Sequence, residues 1–436
     1  MKNYKFSKFN YDVKYSEDEY LIFNTLTLSL ITLDKFHYSL LKDNSIDKFL
    51  ESFNQEEISL LLENGIIVEA MTDEIKILKD RYWYNKYKDD TLHVSIMTTL
   101  GCNFGCPYCF ETHRNVFLTP EIEDSIFAFI KSNMKDKSRL HVDWYGGEPL
   151  LNISSILRLS KRIKELSENN NFSFSSSITT NGYLLTEDIV KKLIELNLKS
   201  AQITLDGPKE VHDKMRPLCN NDGTYDKIIN NIKKASKYIS INLRVNVNKD
   251  TYQYVDKLFN DLIGIPNLCI AIKAIVPASY KKYEQEVLTA KDYAKIVVRK
   301  YFYAQKLGLK TAIDQLFQGS VYRYCIVDSD SQFIISPTGK VFKCGESYLD
   351  DEEGIIGEIN NEGKIEIDEI KKVLWDKDPF SFNECIDCKI LPLCLGGCQM
   401  KRNVKNIESC SPEYKYSLDE LVKNYYEGIN YGETES

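Results

Sequence analysis

Three cysteines stand close together in the segment LGCNFGCPYCF, where Cys102, Cys106 and Cys109 follow the spacing C-x3-C-x2-C. Cysteine thiolates bind zinc and iron–sulfur clusters, and an ordinary electron-transfer cluster takes four of them. Three thiolates would bind three irons of a [4Fe–4S] cluster and leave the fourth iron open to another ligand. The triplet therefore predicts an open cluster, with a zinc site or buried cysteines as the alternatives.

The chain around this triplet alternates between strands and helices. Six strands are predicted in TLHVSIMTT, RLHVDWYGG, FSFSSSITT, SAQITLD, INLRVNVN and LCIAIKAIV, with amphipathic helical stretches between them. Repeated strand–helix units of this kind indicate an α/β fold with a parallel sheet, closed or partly closed into a barrel. Active sites of such barrels lie at the C-terminal ends of the strands, and the cysteine loop directly follows the first strand.

Polar and small residues follow the later strands at the same end. Gly146, Gly147 and Glu148 follow the second strand, Thr204 lies at the end of the fourth, and Arg216 comes after it in HDKMRP. Glycines allow a ligand to approach the backbone, and a glutamate accepts a hydrogen bond from an amino group. An arginine offers a fixed fork of donors to a carboxylate. Each residue alone also fits a structural role, but together they predict a polar ring around an open iron.

The chain divides by pattern into three predicted domains. Residues 1–85 contain a hairpin in YLIFNTLTLSLITL, three short helices and a strand in IIVEA, which predict a winged-helix domain. Residues 86–310 carry the six strand–helix units. Residues 311–436 become irregular and cysteine-rich and then end in a polar helix.

Composition excludes several classes of protein. The net charge of the 436 residues is -8, so there is no overall basic field for nucleic acid. The most apolar stretch is too short and too polar to span a bilayer, and the N-terminus lacks the apolar core of a signal peptide. We therefore expect a cytoplasmic protein that binds neither nucleic acid nor membranes. Its 12 cysteines then indicate metal or redox chemistry rather than disulfides.

The cysteine triplet, with Tyr108 before its last cysteine and GGEP on the next strand, resembles the signature of radical S-adenosylmethionine (SAM) enzymes. That resemblance implies a partial (β/α)6 TIM-like barrel and a cluster whose open iron binds the amino and carboxylate groups of SAM. Reduction then gives a 5′-deoxyadenosyl radical, which abstracts a hydrogen from the substrate. The implied ligands are Cys102, Cys106 and Cys109 for the cluster, and Tyr108, Gly146, Gly147, Glu148, Thr204, Arg216 and Ile275 for SAM.

The cysteines of the last block resemble the SPASM extension of radical SAM peptide maturases. They are Cys325, Cys344, Cys385, Cys388, Cys394, Cys398 and Cys410. The resemblance implies two auxiliary [4Fe–4S] clusters, hence three in all, with the first on Cys325, Cys344 and Cys398 and the second on the other four. Because the first set lacks a fourth cysteine, we expect an open iron for a substrate thiolate, or a ligand such as Asp328 or a distant cysteine. A zinc ribbon is the alternative. Cys219 is expected to be a surface thiol and Cys269 a core residue.

The first block resembles the leader-recognition domain of enzymes that modify ribosomally made peptides, which bind the leader as an added strand. A DNA-binding winged helix is disfavoured because NQEEISLLLENG is acidic. The favoured function is an oxidoreductase-type maturase of a leader-bearing precursor peptide. It would join a Cys sulfur to a carbon as a thioether and use a low-potential donor such as ferredoxin or flavodoxin. The alternatives are carbon–carbon cross-linking, or an iron–sulfur protein that only binds peptide or carries electrons. A further alternative is anaerobic sulfatase maturation to formylglycine, although Gly345 and Glu346 stand where that family has its Asp base.

Overall fold

The computed structural model describes residues 3–87, 90–275, 287–315, 325–345, 354–375 and 377–434. The first of these stretches contains β1 (Tyr4–Phe6), β2 (Asn10–Lys14), β3 (Glu19–Asn24), β4 (Leu30–Asp34), α1 (Lys35–Lys42), α2 (Ile46–Leu50), α3 (Gln55–Glu63), β5 (Ile67–Glu69) and α4 (Glu74–Tyr87). No helix in these ranges is long and apolar enough to cross a membrane.

Strands and helices alternate through the middle of the chain. They are β6 (Thr91–Met97), α5 (Pro120–Asn133), β7 (Arg139–Tyr145), α6 (Ile153–Asn170), β8 (Ser173–Thr180), α7 (Glu187–Ile194), β9 (Leu198–Thr204), α8 (Lys209–Met215), α9 (Tyr225–Ala235), β10 (Ser240–Val247), α10 (Val255–Leu262), β11 (Leu268–Ala274), α11 (Ala290–Lys306) and β12 (Lys310–Thr311). All six predicted strands are confirmed, as β6 to β11.

The C-terminal part has short elements and one long helix. They are β13 (Gln332–Ile335), β14 (Lys340–Phe342), β15 (Ile355–Ile359), β16 (Ile365–Ile367), α12 (Glu369–Trp375), α13 (Asn383–Ile386), α14 (Leu391–Cys394), a π-helical turn (Met400–Val404) and α15 (Pro412–Thr434). The chain forms two compact units. The first comprises Met1–Lys88, Asp314–Asp328 and Lys377–Ser436, and the second comprises Asp89–Ile313 and Ser329–Asp376.

The first unit contains two small sheets. Strands β2, β3 and β4 form an antiparallel sheet in that order, and β1 pairs with β5. The predicted hairpin is confirmed as β3 and β4, and the three predicted helices are α1 to α3. Asn54 begins α3 with a reciprocal capping box to Glu57, whereas Ser45 precedes α2 without a side-chain cap bond. Strands β1 and β2 were not predicted, because YKF and NYDVK are short and polar.

The second unit is built on one sheet of eleven strands, in the order β12-β11-β10-β9-β8-β7-β6-β13-β14-β15-β16. Strands β6 to β12 are parallel, β13 joins β6 in parallel, and β14 to β16 continue in antiparallel. The expectation that the chain becomes irregular after residue 310 was wrong for residues 332–342 and 355–367. Four short strands there extend the sheet instead of leaving it.

The two faces of the central strands differ in polarity. Leu140, Val142 and Trp144 of β7 are at most 1% exposed and share one face of the sheet. The alternate residues form the other face, which we call the polar face. On β6 to β8 it carries His93, Ser95, Met97, His141, Asp143, Tyr145, Ser175, Ser177 and Thr179. Parallel sheets are usually apolar on both faces, so this polarity is a functional signal.

Candidate functional site

The cysteine loop follows β6 and is joined by backbone hydrogen bonds to the segment after α8. Gly105 N donates to Pro217 O over 2.9 Å, and Cys219 N donates to Asn103 O over 3.0 Å. Cys219 is exposed, as predicted. These bonds bring the segment that begins at Arg216 beside the cysteines, although more than 100 residues separate the two in sequence.

The three thiols of the loop lie within electrostatic reach of one another. Burial, followed by the charges of Glu148, Cys106 and Cys109, raises the pKa of Cys102 to about 12. No three His, Cys, Asp or Glu side chains among the described residues converge as they would around one metal ion. Thiolates at this spacing are ligands of either a zinc ion or an iron–sulfur cluster.

The two glycines after β7 allow two backbone segments to touch. Gly147 N donates to Thr99 O over 3.0 Å, and Glu148 N donates to Gly101 O over 2.9 Å. A Cβ on Gly146 would overlap the carbonyl oxygen of Thr99, and one on Gly147 would overlap that of Gly101. Gly146 also has a φ of +136°, which favours glycine. The glycines were expected to admit a ligand; what they admit in the structure is the backbone of the cysteine loop.

Glu148 is fully buried and bonded to protein donors. Its carboxylate accepts from Leu150 N at 3.1 Å, Thr180 Oγ1 at 2.7 Å and Asn181 N at 2.7 Å. Burial raises its pKa, and these hydrogen bonds oppose the rise. In the structure Glu148 therefore ties the end of β7 to the end of β8, and a contact with a ligand amino group stays a prediction.

Arg216 and Tyr108 meet in a buried polar network. Arg216 Nη1 donates to the Tyr108 hydroxyl over 2.8 Å, which in turn donates to Asp206, and Asn246 Nδ2 also donates to that hydroxyl over 3.2 Å. The backbone N–H of Asn246 donates to the other oxygen of Asp206 over 3.0 Å. Arg216 Nε, by contrast, is buried and has no hydrogen-bond partner among the described residues. A cationic donor left unpaired in a buried site calls for an anionic ligand.

A buried histidine that sequence reasoning missed holds the segment before Arg216. His212 Nδ1 accepts from Asp206 N over 3.2 Å, and His212 Nε2 lies 3.0 Å from Thr224 Oγ1. The Thr224 hydroxyl donates to Arg216 O over 2.7 Å. Burial, and then the charge of Arg216, lowers the pKa of His212 well below its usual range, so the ring is neutral. No local motif marks these partners, which is why only Arg216 was singled out.

The remaining predicted contacts lie at the same end of the sheet. Thr204 ends β9 and is 8% exposed, and Ile275 follows β11 and is 3% exposed. Leu205 N donates to Arg244 O, and Ile275 N donates to Val247 O, so each position is fixed by the neighbouring strand. The C-terminal ends of β6, β7, β9 and β11 thus carry every predicted contact except Arg216, which follows α8.

The cysteines of the last block divide between the two units. Cys344 belongs to the second unit, while Cys325, Cys398 and the remaining four belong to the first. Burial raises the pKa of Cys394 to about 12, and the charges of Cys388, Cys410 and Cys385 add to the rise. These four thiols are therefore neighbours. Cys269 lies half-buried on β11.

Asp328, considered above as a non-cysteine ligand, lies in a buried network of the first unit. Its Oδ1 accepts from the Tyr82 hydroxyl over 2.8 Å and from Gln399 Nε2. Asp328 N donates to Cys325 O over 3.1 Å. One carboxylate oxygen is thus already held by two protein donors. Glu346 and the segment 316–324 before Cys325 lie outside the described residues.

Residues 96–262 match the model of the Radical SAM superfamily. The cysteine-type anaerobic sulfatase-maturating enzyme of Clostridium perfringens strain 13 is 26% identical over 331 residues, which are 70% of this chain and 88% of that enzyme. The radical SAM cyclopropyl synthase TigE of Paramaledivibacter caminithermalis is 25% identical over 425 residues, or 87% of this chain and 82% of TigE. The crystal structure of Streptococcus suis SuiB bound to precursor peptide SuiA has the same fold, with a TM-score of 0.50 and 17% identity. It covers 94% of this chain and 97% of SuiB.

The matched segment contains the cysteine loop, the GGEP turn and Arg216. It runs from the end of β6 through α10, and so includes the strand ends at which these residues gather. The superfamily brings a [4Fe–4S] cluster and SAM as its cofactors. The chain is an enzyme whose residues 96–262 resemble the radical SAM superfamily.

Proposed function

We propose that Cys102, Cys106 and Cys109 hold the [4Fe–4S] cluster and that SAM binds beside it. The observation that carries the proposal is the buried, unpartnered Nε of Arg216, which a SAM carboxylate would satisfy with a charge-assisted hydrogen bond. When bound, the cluster and SAM supply a carbon-centred radical that removes a hydrogen atom from the substrate.

The residues around Arg216 position it for this contact. The hydroxyl of Tyr108, itself bonded to Asp206 and Asn246, fixes one end of the guanidinium and leaves Nε for the ligand. Thr204 and Ile275 are proposed to contact the ribose and the adenine. Gly147 contacts the amino group, while Gly146 and Glu148 hold the cysteine loop at the distance this arrangement needs.

Two auxiliary clusters complete the proposed cofactor set of three. Burial, and with it the charges of neighbouring thiols, raises the pKa of Cys385, Cys394 and Cys410, and this proximity supports one [4Fe–4S] cluster on these three and Cys388. The other is proposed on Cys325, Cys344 and Cys398 from their sequence spacing, with an iron left for a substrate thiolate.

We infer that the substrate is a precursor peptide carrying a leader. In sequence, TigE aligns with 87% of this chain, against 70% for the sulfatase-maturating enzyme, and in structure SuiB covers 94% of it. SuiB was crystallised with its precursor peptide. The proposed domains are a leader-recognition domain over residues 1–85, a radical SAM barrel over 86–310 and a SPASM domain over 311–436. A low-potential protein such as ferredoxin or flavodoxin is the proposed electron donor.

Strand β4 supplies an edge for the leader. Asn24 N donates to Ser29 O over 2.8 Å, so the hydrogen-bonded pairs of β3 and β4 continue at Ile31 and Leu33. The backbone groups of Leu30 and Thr32 therefore point away from β3, and no described strand pairs with them. Phe36, directly after this edge, is 61% exposed and offers an apolar anchor. An extended leader added here would gain main-chain hydrogen bonds and one side-chain pocket.

The proposed reaction joins a Cys sulfur of the peptide to a carbon of another residue as a thioether. Formylglycine formation is the second candidate, because the sulfatase-maturating enzyme is 26% identical. Carbon–carbon cross-linking is the third. In this chain Gly345, rather than an Asp, follows Cys344, which favours the thioether over formylglycine.

The test uses the reconstituted enzyme with SAM and dithionite in the absence of oxygen. The probes are synthetic leader–core peptides encoded beside the gene for this chain, each assayed with and without its leader. A thioether removes two hydrogens and protects the Cys from alkylation, whereas formylglycine loses the sulfur and reacts with hydrazine. Leader-dependent loss of two hydrogens with a blocked Cys supports the proposal. A hydrazine-reactive product, or equal turnover without the leader, contradicts it.

A further inference from the structure

Four side chains on the polar face of β7 and β8 form an unbroken line of hydrogen bonds. Ser175 Oγ lies 3.0 Å from His141 Nδ1, and Ser177 Oγ lies 2.9 Å from His141 Nε2. The Ser177 hydroxyl donates in turn to Asp143 Oδ1 over 2.8 Å. The strand register places His141 opposite Ser175 and Asp143 opposite Ser177, so the line follows the direction of the strands.

The direction of each hydrogen bond follows from the number of protons available. Ser177 has one hydroxyl proton and gives it to Asp143, so His141 Nε2 must donate to Ser177 and Nδ1 must accept from Ser175. If Asp143 takes up a proton, every bond reverses: Asp143 donates to Ser177, Ser177 donates to Nε2, and Nδ1 donates to Ser175. The line therefore has two polarities, and the second holds one more proton than the first. A shift of every proton by one position toward Ser175 restores the first polarity and releases one proton at Ser175.

The line occupies the middle of β7 and β8. Asp143 lies two residues, or about 7 Å along the strand, below Tyr145 at the end of β7, where the proposed SAM site begins. Ser175 lies two residues from Ser173, which is exposed at the start of β8. The Asp143 end of the line thus lies toward the strand ends that carry the proposed site, and the Ser175 end lies toward the exposed start of β8.

We propose that Asp143, Ser177, His141 and Ser175 form a proton-transfer chain that removes the proton released when the substrate is oxidised. This inference rests on the proposed function. In thioether formation one C–H and one S–H bond break and one C–S bond forms. The hydrogen atom of the C–H bond leaves to the 5′-deoxyadenosyl group, and the S–H proton goes to the Asp143 carboxylate. The remaining electron would need an acceptor, which an oxidised iron–sulfur cluster would supply.

The electrostatics of the chain suit this role. Burial raises the pKa of Asp143 to about 6, so the carboxylate is ionised near neutral pH yet more basic than an ordinary aspartate. Burial lowers the pKa of His141, which keeps the ring neutral and lets it pass a proton by changing tautomer. The titratable neighbours include His93 of β6, whose ring lies 5.9 Å from that of His141, Tyr145 of β7, and Glu111, which accepts a hydrogen bond from Tyr145. At these positions β8 contributes hydroxyl groups alone.

The chain is tested in the full-length, reconstituted enzyme by 15N NMR of its 5 histidines, with the His141 signal assigned from an H141Q variant. Between about pH 8 and about pH 5, the His141 tautomer should change from Nε2–H to Nδ1–H as Asp143 titrates. In D143N the His141 tautomer should not depend on pH. In S177A the His141 tautomer should no longer follow the protonation of the Asp143 carboxyl. The matched control S173A, two residues beyond the chain, should switch like the wild type. A pH-independent tautomer in the wild type, or a ring that becomes doubly protonated, overturns the proposal.

Turnover of a leader–core peptide separates this inference from the proposed function. D143N should release 5′-deoxyadenosine like the wild type but form cross-linked peptide about 100-fold more slowly. If the wild type modifies the peptide and D143N does so equally fast, the proton chain is refuted while the proposed function stands. If the wild type modifies no leader–core peptide, the proposed function fails and takes the catalytic use of the chain with it, whatever the NMR result.

Discussion

Replacing Arg216 by Lys tests how the enzyme binds the amino-acid end of SAM. Arg216 Nη1 is held 2.8 Å from the Tyr108 hydroxyl, and Nε is left without a partner. A lysine keeps a positive charge beside Asp206, so the buried carboxylate is not left unpaired and the fold should survive. A single ammonium cannot, however, hold Tyr108 and present a second donor in the place of Nε.

The size of the effect follows from the bond that is lost. A hydrogen bond to a charged group contributes about 1.5–3 kcal/mol. The dissociation constant of SAM should therefore rise about 10- to 150-fold in R216K. 5′-Methylthioadenosine has the same nucleoside and lacks the carboxylate, so its affinity should stay at the wild-type value.

Both ligands would be titrated calorimetrically into anaerobically reconstituted enzyme. The matched control is R244K, because Arg244 bonds to the same Asn246 side chain over 2.8 Å, and no nitrogen of Arg244 is among the buried, unpartnered atoms of the described residues. It should leave both affinities near the wild-type values. Equal losses for SAM and 5′-methylthioadenosine in R216K would refute the reasoning, since Arg216 would then act on the nucleoside or on the fold.

Other variants test the loop, the leader edge and the second auxiliary cluster. G147A places a Cβ against the Gly101 carbonyl and should lose about four irons per chain. The control G428A, whose Cβ would lie in open space on α15, should lose none. Equal iron contents in the two variants would contradict a close approach of Gly147 to the cysteine loop. T32P removes an outward N–H from β4 and should weaken leader binding by about 1–3 kcal/mol, measured by fluorescence anisotropy. T32V keeps that N–H and should bind the leader like the wild type. Equal binding by T32P and T32V would exclude β4 as the leader-binding edge. C394S should lose about four irons and still form 5′-deoxyadenosine. The control C269S should keep all its iron. An unchanged iron content in C394S would contradict the proposed second auxiliary cluster.

The strands of the sheet were predictable where the sequence repeats its pattern. RLHVDWYGG alternates apolar and polar residues over a full strand, and the structure has β7 there. Lys340–Phe342 is a strand of only three residues in a cysteine-rich segment, too short for any periodicity, and its edge-to-edge pairing with β13 and β15 comes from the tertiary fold. The same alternation gave no sign that His141 and Asp143 share a line of hydrogen bonds, because polar residues at alternate positions are ordinary for a strand.

The candidate site was predictable only where chemistry has a local spacing. The cysteine triplet and the GGEP turn are continuous motifs, and each could be found without a fold. Asn246 is 138 residues from Tyr108, to which it donates a hydrogen bond, and no local signal connects them. The group that approaches Gly147 could not be predicted either. A glycine motif indicates a close approach, but it does not indicate that the approaching group is the backbone of Gly101.

The most direct test of the account is the formation of 5′-deoxyadenosine from SAM by the reconstituted enzyme, with dithionite as reductant and without oxygen. Product would be quantified by mass spectrometry for the wild type, C106A and C219A, the last being an exposed thiol beside the same loop. The account predicts product from the wild type and C219A and none from C106A. Product from C106A at the wild-type level, or none from the wild type, would contradict the proposed cluster and the chemistry built on it.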